Sequence, residues 1–311
     1  MKLFLNSVII TALVVAVTSC QKSDRIPMTD NLIVATTTML GDMLNVVGGE
    51  DVTVITLMRP GVDPHMYKAS PSDVSKLNRA KAIFYNGMLL EGRMTDVLER
   101  LEKQGKDVYV VSDGVDESQR LAPEGADDHP DPHIWGDAAL WAMTIPTVVD
   151  GLGKTFPEKA DAFRERGETY QNDLTELHKW AQQRVIEIPA ERRKLVTSHD
   201  AFSYLGRAYG LEVIGVQGIS TVSDASVSDR TRMVDFIKEH KIPAVFVESS
   251  VSPVLIQQIS KDANVTVGGE LFSDAMGEPG VMKTVAGETY DVGTYIGMLK
   301  HNINSIVEAL K

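Results

Sequence analysis

Apolar and polar positions along this chain follow two alternating periods. Short runs rich in Val, Ile and other strand-forming residues occupy 32–37, 52–58, 82–86 and 108–113, and between them residues 39–47, 72–80 and 91–101 carry apolar side chains at helical intervals. Ser70-Pro71-Ser72-Asp73 reads as a helix start with proline in the first turn. The same alternation resumes in the second half, with strands predicted at 194–198, 211–216, 244–249 and 265–271 and helices at 201–209, 229–240 and 253–263. Strands alternating with helices predict an α/β chain of two lobes, each a small four-stranded parallel sheet flanked by helices.

A different pattern separates the two. Residues 155–188 place Phe163, Gly167, Tyr170, Leu174, Leu177 and Ala181 at intervals of three, four or seven, with Glu, Arg, Gln and Lys elsewhere. Thr155 is placed to cap this helix, Pro157 fits its first turn and Pro189 stops it. The expectation is one rigid linker helix of roughly 30 residues, about 45 Å long at 1.5 Å per residue. It divides a first lobe at 32–154 from a second at 189–311. A continuous helix resists bending, so small domain movements are expected in place of a wide closure.

The amino end stands apart from both lobes. Met1-Lys2-Leu3 is followed by an apolar run from 4 to 17, interrupted by Asn6, Ser7 and Thr11, and then by Thr18-Ser19-Cys20. A positive start, a short apolar core and small residues before a cut are the marks of a secretory signal. Val17-Thr18-Ser19-Cys20 resembles a bacterial lipoprotein processing box, in which the cysteine becomes the lipidated first residue; a plain signal peptide with an incidental cysteine is the simpler alternative. Residues 1–19 are therefore expected to be removed, Cys20 to carry lipid at a membrane surface, and residues 20–31 to form a flexible tether.

Composition narrows the function. The chain has 311 residues, is 43% hydrophobic and 24% charged, and carries a net charge of −12, so it offers no basic surface for nucleic acid. Its one cysteine excludes an internal disulfide and a thiolate metal site.

Candidate chemistry lies at the predicted strand ends. Asp63-Pro64-His65 and Asp131-Pro132-His133 repeat one short motif beyond the second and fourth strands, His199 follows the fifth in Thr197-Ser198-His199-Asp200, and Asp274 follows the eighth. Ligands of open parallel sheets sit in the crevice outside the carboxyl ends of the strands. Either early histidine alone would be read as a capping or packing residue, but two Asp-Pro-His motifs at matching strand ends favour a site. Nearby prolines stiffen both loops. If the lobes face each other across these edges, His65, His133, His199 and Asp274 converge, two from each lobe. Three imidazoles and a carboxylate suit a divalent transition ion, and a filled ligand set argues for binding over hydrolysis. Glu248, at a strand end, is a candidate partner behind a ligand histidine, with capping of backbone amides as the equal alternative. His178, His240 and His301 are read as surface residues, His301 just ahead of the last helix, and His129 as a possible aid to ion delivery.

The chain resembles the TroA-like solute-binding lipoproteins of bacterial manganese and zinc ABC transporters, the cluster A-I family. The resemblance rests on PGVDPHMY, NGMLLEGRM, DPHIWGD, PAERRKLVTSHDAF, VFVESS, GGELFSDAMG and GTYIGMLKHNI, taken in order. It implies two four-stranded lobes joined by a rigid helix, metal ligands at His65, His133, His199 and Asp274, Zn2+ or Mn2+ as transported cargo, an ABC permease as partner and an extracytoplasmic, membrane-anchored location. A monomer with no enzymatic activity is expected. Some relatives have Glu at the position of His199, a pattern associated with manganese or iron, and zinc-specialised relatives often carry a long histidine-rich loop before the second motif. Here that loop is short and acidic, so the cargo stays open between manganese and zinc. A metal-dependent hydrolase, a surface adhesin and the related siderophore- or cobalamin-binding class are the competing readings. The last would not need this ligand set.

Overall fold

The first half winds through β1 (Leu32–Ala35), α1 (Thr38–Gly48), β2 (Thr53–Thr56), α2 (Pro71–Arg79), β3 (Ala82–Tyr85), α3 (Thr95–Lys103) and β4 (Asp107–Val110). This is a computed structural model, and it describes residues 29–122, 129–223 and 225–311. The expected signal peptide, Cys20 and most of the expected tether lie outside the described residues. The four strands pair in parallel in the order β2-β1-β3-β4, with ends within three residues of the predicted runs. α2 starts at the expected place. Ser70 Oγ accepts the Asp73 amide, the Asp73 carboxylate accepts the Ser70 amide, and Pro71 takes the first helical position.

One predicted helix of this half is displaced. Residues 91–101 begin in a tight loop where Gly87, Met88, Leu89 and Gly92 all have positive φ, followed by a 3-10 turn at Gly92–Met94 before α3 begins.

Two helices that the apolar periodicity did not reveal come next, α4 (Ala138–Met143) and α5 (Ile145–Thr155), and then the long helix α6 (Ala160–Val185). The linker helix expected over 155–188 is thus shorter, 26 residues or about 39 Å. Thr155 is not its cap. It ends α5, its hydroxyl donating to the Gly151 carbonyl at 2.8 Å. Pro157 lies in a separate 3-10 turn, Pro157–Lys159. The apolar spacing continues across this break because α5 and α6 pack on one another. Gly167 marks the crossing: a Cβ there would lie 2.6 Å from Val149 Cγ2. Among the described residues, no helix is long and apolar enough to cross a membrane.

The second half comprises β5 (Lys194–Thr197), α7 (Ser203–Tyr209), β6 (Glu212–Gly215), α8 (Val227–Glu239), β7 (Ala244–Glu248), α9 (Val254–Ala263), β8 (Thr266–Leu271), an antiparallel hairpin of β9 (Met282–Val285) with β10 (Glu288–Asp291), and α10 (Tyr295–Leu310). The predicted second four-stranded sheet is instead two parallel pairs, β5 with β6 and β7 with β8, with β5 beside β7. At the seam the His199 amide donates to the Glu248 carboxylate at 2.9 Å and not to a strand carbonyl. The hairpin was not foreseen. His301 lies within α10 and is buried, its Nε2 3.0 Å from the Glu270 carbonyl, so its expected surface role is corrected.

One apolar core runs through both halves, from Ile33, Met39 and Phe84 through Trp141, Phe163 and Leu177 to Tyr204, Phe246 and Ile303. Smaller clusters fill the outer faces, Leu77 and Leu98 under α2 and α3, Ile237 and Ile259 under α8 and α9. Polar contacts tie the same seam. Asp42 Oδ2, on α1, accepts from the Tyr295 amide at 3.0 Å and the Tyr170 hydroxyl at 3.3 Å, joining α1, α6 and α10.

Burial lifts the Asp42 carboxyl from 3.8 to about 6, so folding favours its protonated form. Its stabilisation is therefore complete below about pH 3.8 and is lost as pH rises through 6. Asp42→Asn should match the parent near pH 4 and exceed it by on the order of 2 kcal/mol above pH 7, read from urea denaturation of the metal-free proteins.

Candidate metal centre

His65, His133, His199 and Asp274 meet between the halves, and one ligand-type atom of each lies within 4.8 Å of all the others. His65 is 7% exposed and the other three are at 1% or less. His65 Nε2 is 3.3 Å from His133 Nε2, His133 Nε2 is 3.4 Å from Asp274 Oδ1, and His199 Nε2 is 3.3 Å from Asp274 Oδ2. Four donors at about 2.0–2.1 Å from a tetrahedral ion stand roughly 3.3–3.4 Å apart, so these three separations, two of them to different oxygens of Asp274, are the length of such a polyhedron's edges, while the four groups as a whole lie within 4.8 Å. The two oxygens of Asp274 face different imidazoles, leaving both able to reach one ion. His199 Nε2 and Asp274 Oδ1 have no hydrogen-bond partner among the described residues although buried, which in a protein interior asks for an ion or a proton.

Each group has a local reason for its position. Asp63 Oδ1 accepts the His65 amide at 2.8 Å and Asp131 Oδ1 accepts the His133 amide at 2.9 Å, so both Asp-Pro-His segments fold as the turn in which an aspartate binds an amide two residues on. Asp131 Oδ1 also lies 2.6 Å from His133 Nδ1. Trp135 packs edge-on against His133 with centroids 5.2 Å apart and donates its indole N–H to the Ser273 carbonyl at 2.8 Å, bracing one half on the other. Ser250 Oγ donates to Asp274 Oδ2 at 3.2 Å. Glu248 Oε2 sits 2.5 Å from His199 Nδ1, while its other oxygen holds the His199 amide. The candidate partner and the candidate cap are thus the same carboxylate.

Beneath the first-half loops lies a scaffold that the sequence did not reveal. Glu91, fully buried, accepts from the Thr36 hydroxyl at 2.8 Å, the Asn86 amide at 2.7 Å and the Gly87 amide at 3.2 Å. Asn86 Nδ2 in turn donates to the Pro132 carbonyl at 3.1 Å, next to His133. Asp131 was also missed as a ring partner. Its signal was present in the repeated Asp-Pro-His, which places an aspartate two residues before each histidine.

The electrostatics are those of a buried acidic cage. Burial pushes His65 down to about 4. Burial acts the same way on His133 and His199, but Asp131 and Asp274 outweigh it for His133, which rises to about 9, and Asp274 and Glu248 hold His199 well above the usual histidine range. Burial would lift Asp274, yet His199 and His133 hold it well below the usual carboxylate range.

The remaining candidates stay outside. His129 and His240 are exposed. His178 is half-buried, its Nδ1 3.1 Å from Asp137. Ser198-His199-Asp200 does not assemble a triad, because Asp200 accepts from Ser203 Oγ at 2.6 Å and Ser198 Oγ has no partner among the described residues.

Residues 33–309 match the family described as zinc-uptake complex component A, periplasmic (ZnuA). The chain belongs to this family. Within it, the chain is 43% identical over 284 residues to the manganese-binding lipoprotein MntA of Bacillus subtilis, covering 90% of this chain and 89% of that one. It is 42% identical over 284 residues to the zinc-binding protein TroA of Treponema pallidum, covering 90% and 88%. The solved structure of the periplasmic zinc-binding protein TroA from Treponema pallidum superposes with a TM-score of 0.84 at 41% identity, covering 90% of this chain and 99% of that one. The α/β architecture with its parallel four-stranded sheet and long helix is the fold of this family.

Gly92 supplies a test of the scaffold. Its φ is +47 and a Cβ there would lie 2.9 Å from the His65 carbonyl oxygen, so Gly92→Ala should destabilise the protein by about 1 kcal/mol or more in chemical denaturation. A crystal structure of the variant should show His65 moved away from His133.

Proposed function

We propose that this protein is an extracytoplasmic receptor that captures one divalent transition-metal ion, Mn2+ or Zn2+, and hands it to the permease of an ABC transporter. His65, His133, His199 and Asp274 are the ligands in this reading, with Asp131 and Glu248 orienting His133 and His199. Lipid on Cys20 tethers the protein to the membrane, and the carrier acts as a monomer. The observation that carries the reading is the meeting of four buried ligand-type atoms, two from each half, within 4.8 Å.

The donor set supports a carrier over a catalyst. A catalytic ion keeps an open position for water, and four protein ligands fill a tetrahedron. Both oxygens of Asp274 can swing onto the ion to raise its coordination number, so the site accommodates zinc in four-fold and manganese in higher coordination. Metal-binding names among the relatives cover both ions. The acidic cage also fits a dication, whose charge offsets carboxylates that would otherwise be held together by protons.

Three measurements test this. Metal analysis and titration should give one ion per chain, with His199→Ala abolishing tight binding and Glu248→Gln weakening it about 10- to 100-fold; binding by His199→Ala at parental affinity would sink the ligand assignment. Because the metal-free His133 is raised to about 9, a proton occupies it at neutral pH and the ion must displace it. Affinity should therefore strengthen as pH rises from 5 to 9. Calorimetry at pH 7 in buffers of different ionisation enthalpy should record at least one proton released per ion bound.

A further inference from the structure

The two Asp-Pro-His segments fold alike and then diverge. Asp131 turns its amide-binding oxygen onto its own histidine ring, whereas the second oxygen of Asp63 points away from His65 and accepts the Thr221 hydroxyl at 2.6 Å. Thr221 belongs to the other half, in the loop between β6 and α8. The carboxylate that fixes the His65 backbone is therefore itself anchored across the cleft.

His65 differs from its three neighbours in the same respect. His133 is backed by Asp131, His199 by Glu248 and Asp274 by Ser250, all from within the half that carries them. Among the described residues no carboxylate backs the His65 ring, and His65 is the most exposed of the four, at 7%.

A cavity of about 550 Å³ opens beside this contact, lined in part by Asp63, Thr221, Gln217, Ser198 and Ser250. It borders the site on three sides. Asp63 holds the His65 amide, Ser198 adjoins His199, and Ser250 donates to Asp274. Ser198 Oγ is buried there without a hydrogen-bond partner among the described residues. The wall nearest the site, made by these five residues, is hydroxyl, amide and carboxylate and can receive an ion regaining water; the far wall is largely apolar, with Val251, Val254 and Leu255 beside Arg230.

We propose that the Asp63–Thr221 hydrogen bond is a latch that couples the two halves to the hold on the ion. With the bond made, His65 is kept against the other three groups. When the Thr221 loop withdraws, Asp63 loses its anchor, His65 is the first ligand to part from the ion, and the ion leaves through the cavity. This rests on the reading of the four residues as metal ligands. Thr221 is a positioning residue, since it acts on the ion only through Asp63 and His65.

The experiment measures release of Zn2+ from the loaded full-length protein into excess chromogenic chelator by stopped flow, for the parent, Thr221→Val and Thr221→Ser. Valine keeps the shape and removes the hydroxyl; serine keeps the hydroxyl. Loss of one hydrogen bond to a carboxylate should speed release from Thr221→Val about tenfold, with association within about twofold of the parent, as expected when affinity changes reside in dissociation. Thr221→Ser should release at close to the parental rate. Parental release from Thr221→Val, or release from Thr221→Ser as fast as from the valine variant, would overturn the latch alone. A parent protein that takes up no Zn2+ would overturn the metal-centre reading and the latch with it.

Discussion

Charge held out of water governs this molecule. Three imidazoles and the carboxylates of Asp131, Glu248 and Asp274 are packed into one nearly solvent-free space, where an unpaired charge costs several kcal/mol. Such a cluster persists only when something positive sits among the carboxylates. In the ion-free protein that role falls to protons on His133 and His199; in the loaded protein it would fall to the metal. The elements around the site hold these groups together, each carboxylate or imidazole fixed by a hydrogen bond from its own half.

The two halves meet this demand differently. In the second half, His199 and Asp274 follow β5 and β8 at once, so the ladders themselves set their positions. In the first half, His65 and His133 lie on long loops beyond β2 and β4, which a sheet alone would not hold. Proline stiffening, the aspartate turns and the Glu91–Asn86 scaffold supply the missing order. Loops so restrained lose less entropy when an ion draws them in.

Much of this was legible in the sequence. The parallel strands of both halves and the four converging side chains followed from short β-rich runs and from polar residues placed at their ends, whereas the β9–β10 hairpin did not. What escaped depended on tertiary packing. The helix expected over 155–188 was drawn too long because the apolar spacing runs on through the α5–α6 turn, where Thr155 bonds backward to Gly151. His301 looked exposed because it was placed just ahead of the last helix, yet it lies within α10, which is buried along most of its length. The Glu91 scaffold leaves no periodic signal at all, since its value lies in three hydrogen bonds to one carboxylate. The second sheet, read as four strands, divides where a side chain takes an amide that a neighbouring strand would otherwise take.

The apolar core that runs unbroken through both halves has a consequence for how this chain comes to be folded. Neither half contains a complete interior, because Trp141 and α6 face side chains supplied from both sides. During synthesis the amino-terminal portion must therefore wait, with greasy surface uncovered, until α10 emerges at the far end. A chain exported before folding would pass through that vulnerable stage outside the cytoplasm, where holding factors that bind exposed apolar segments would decide its yield.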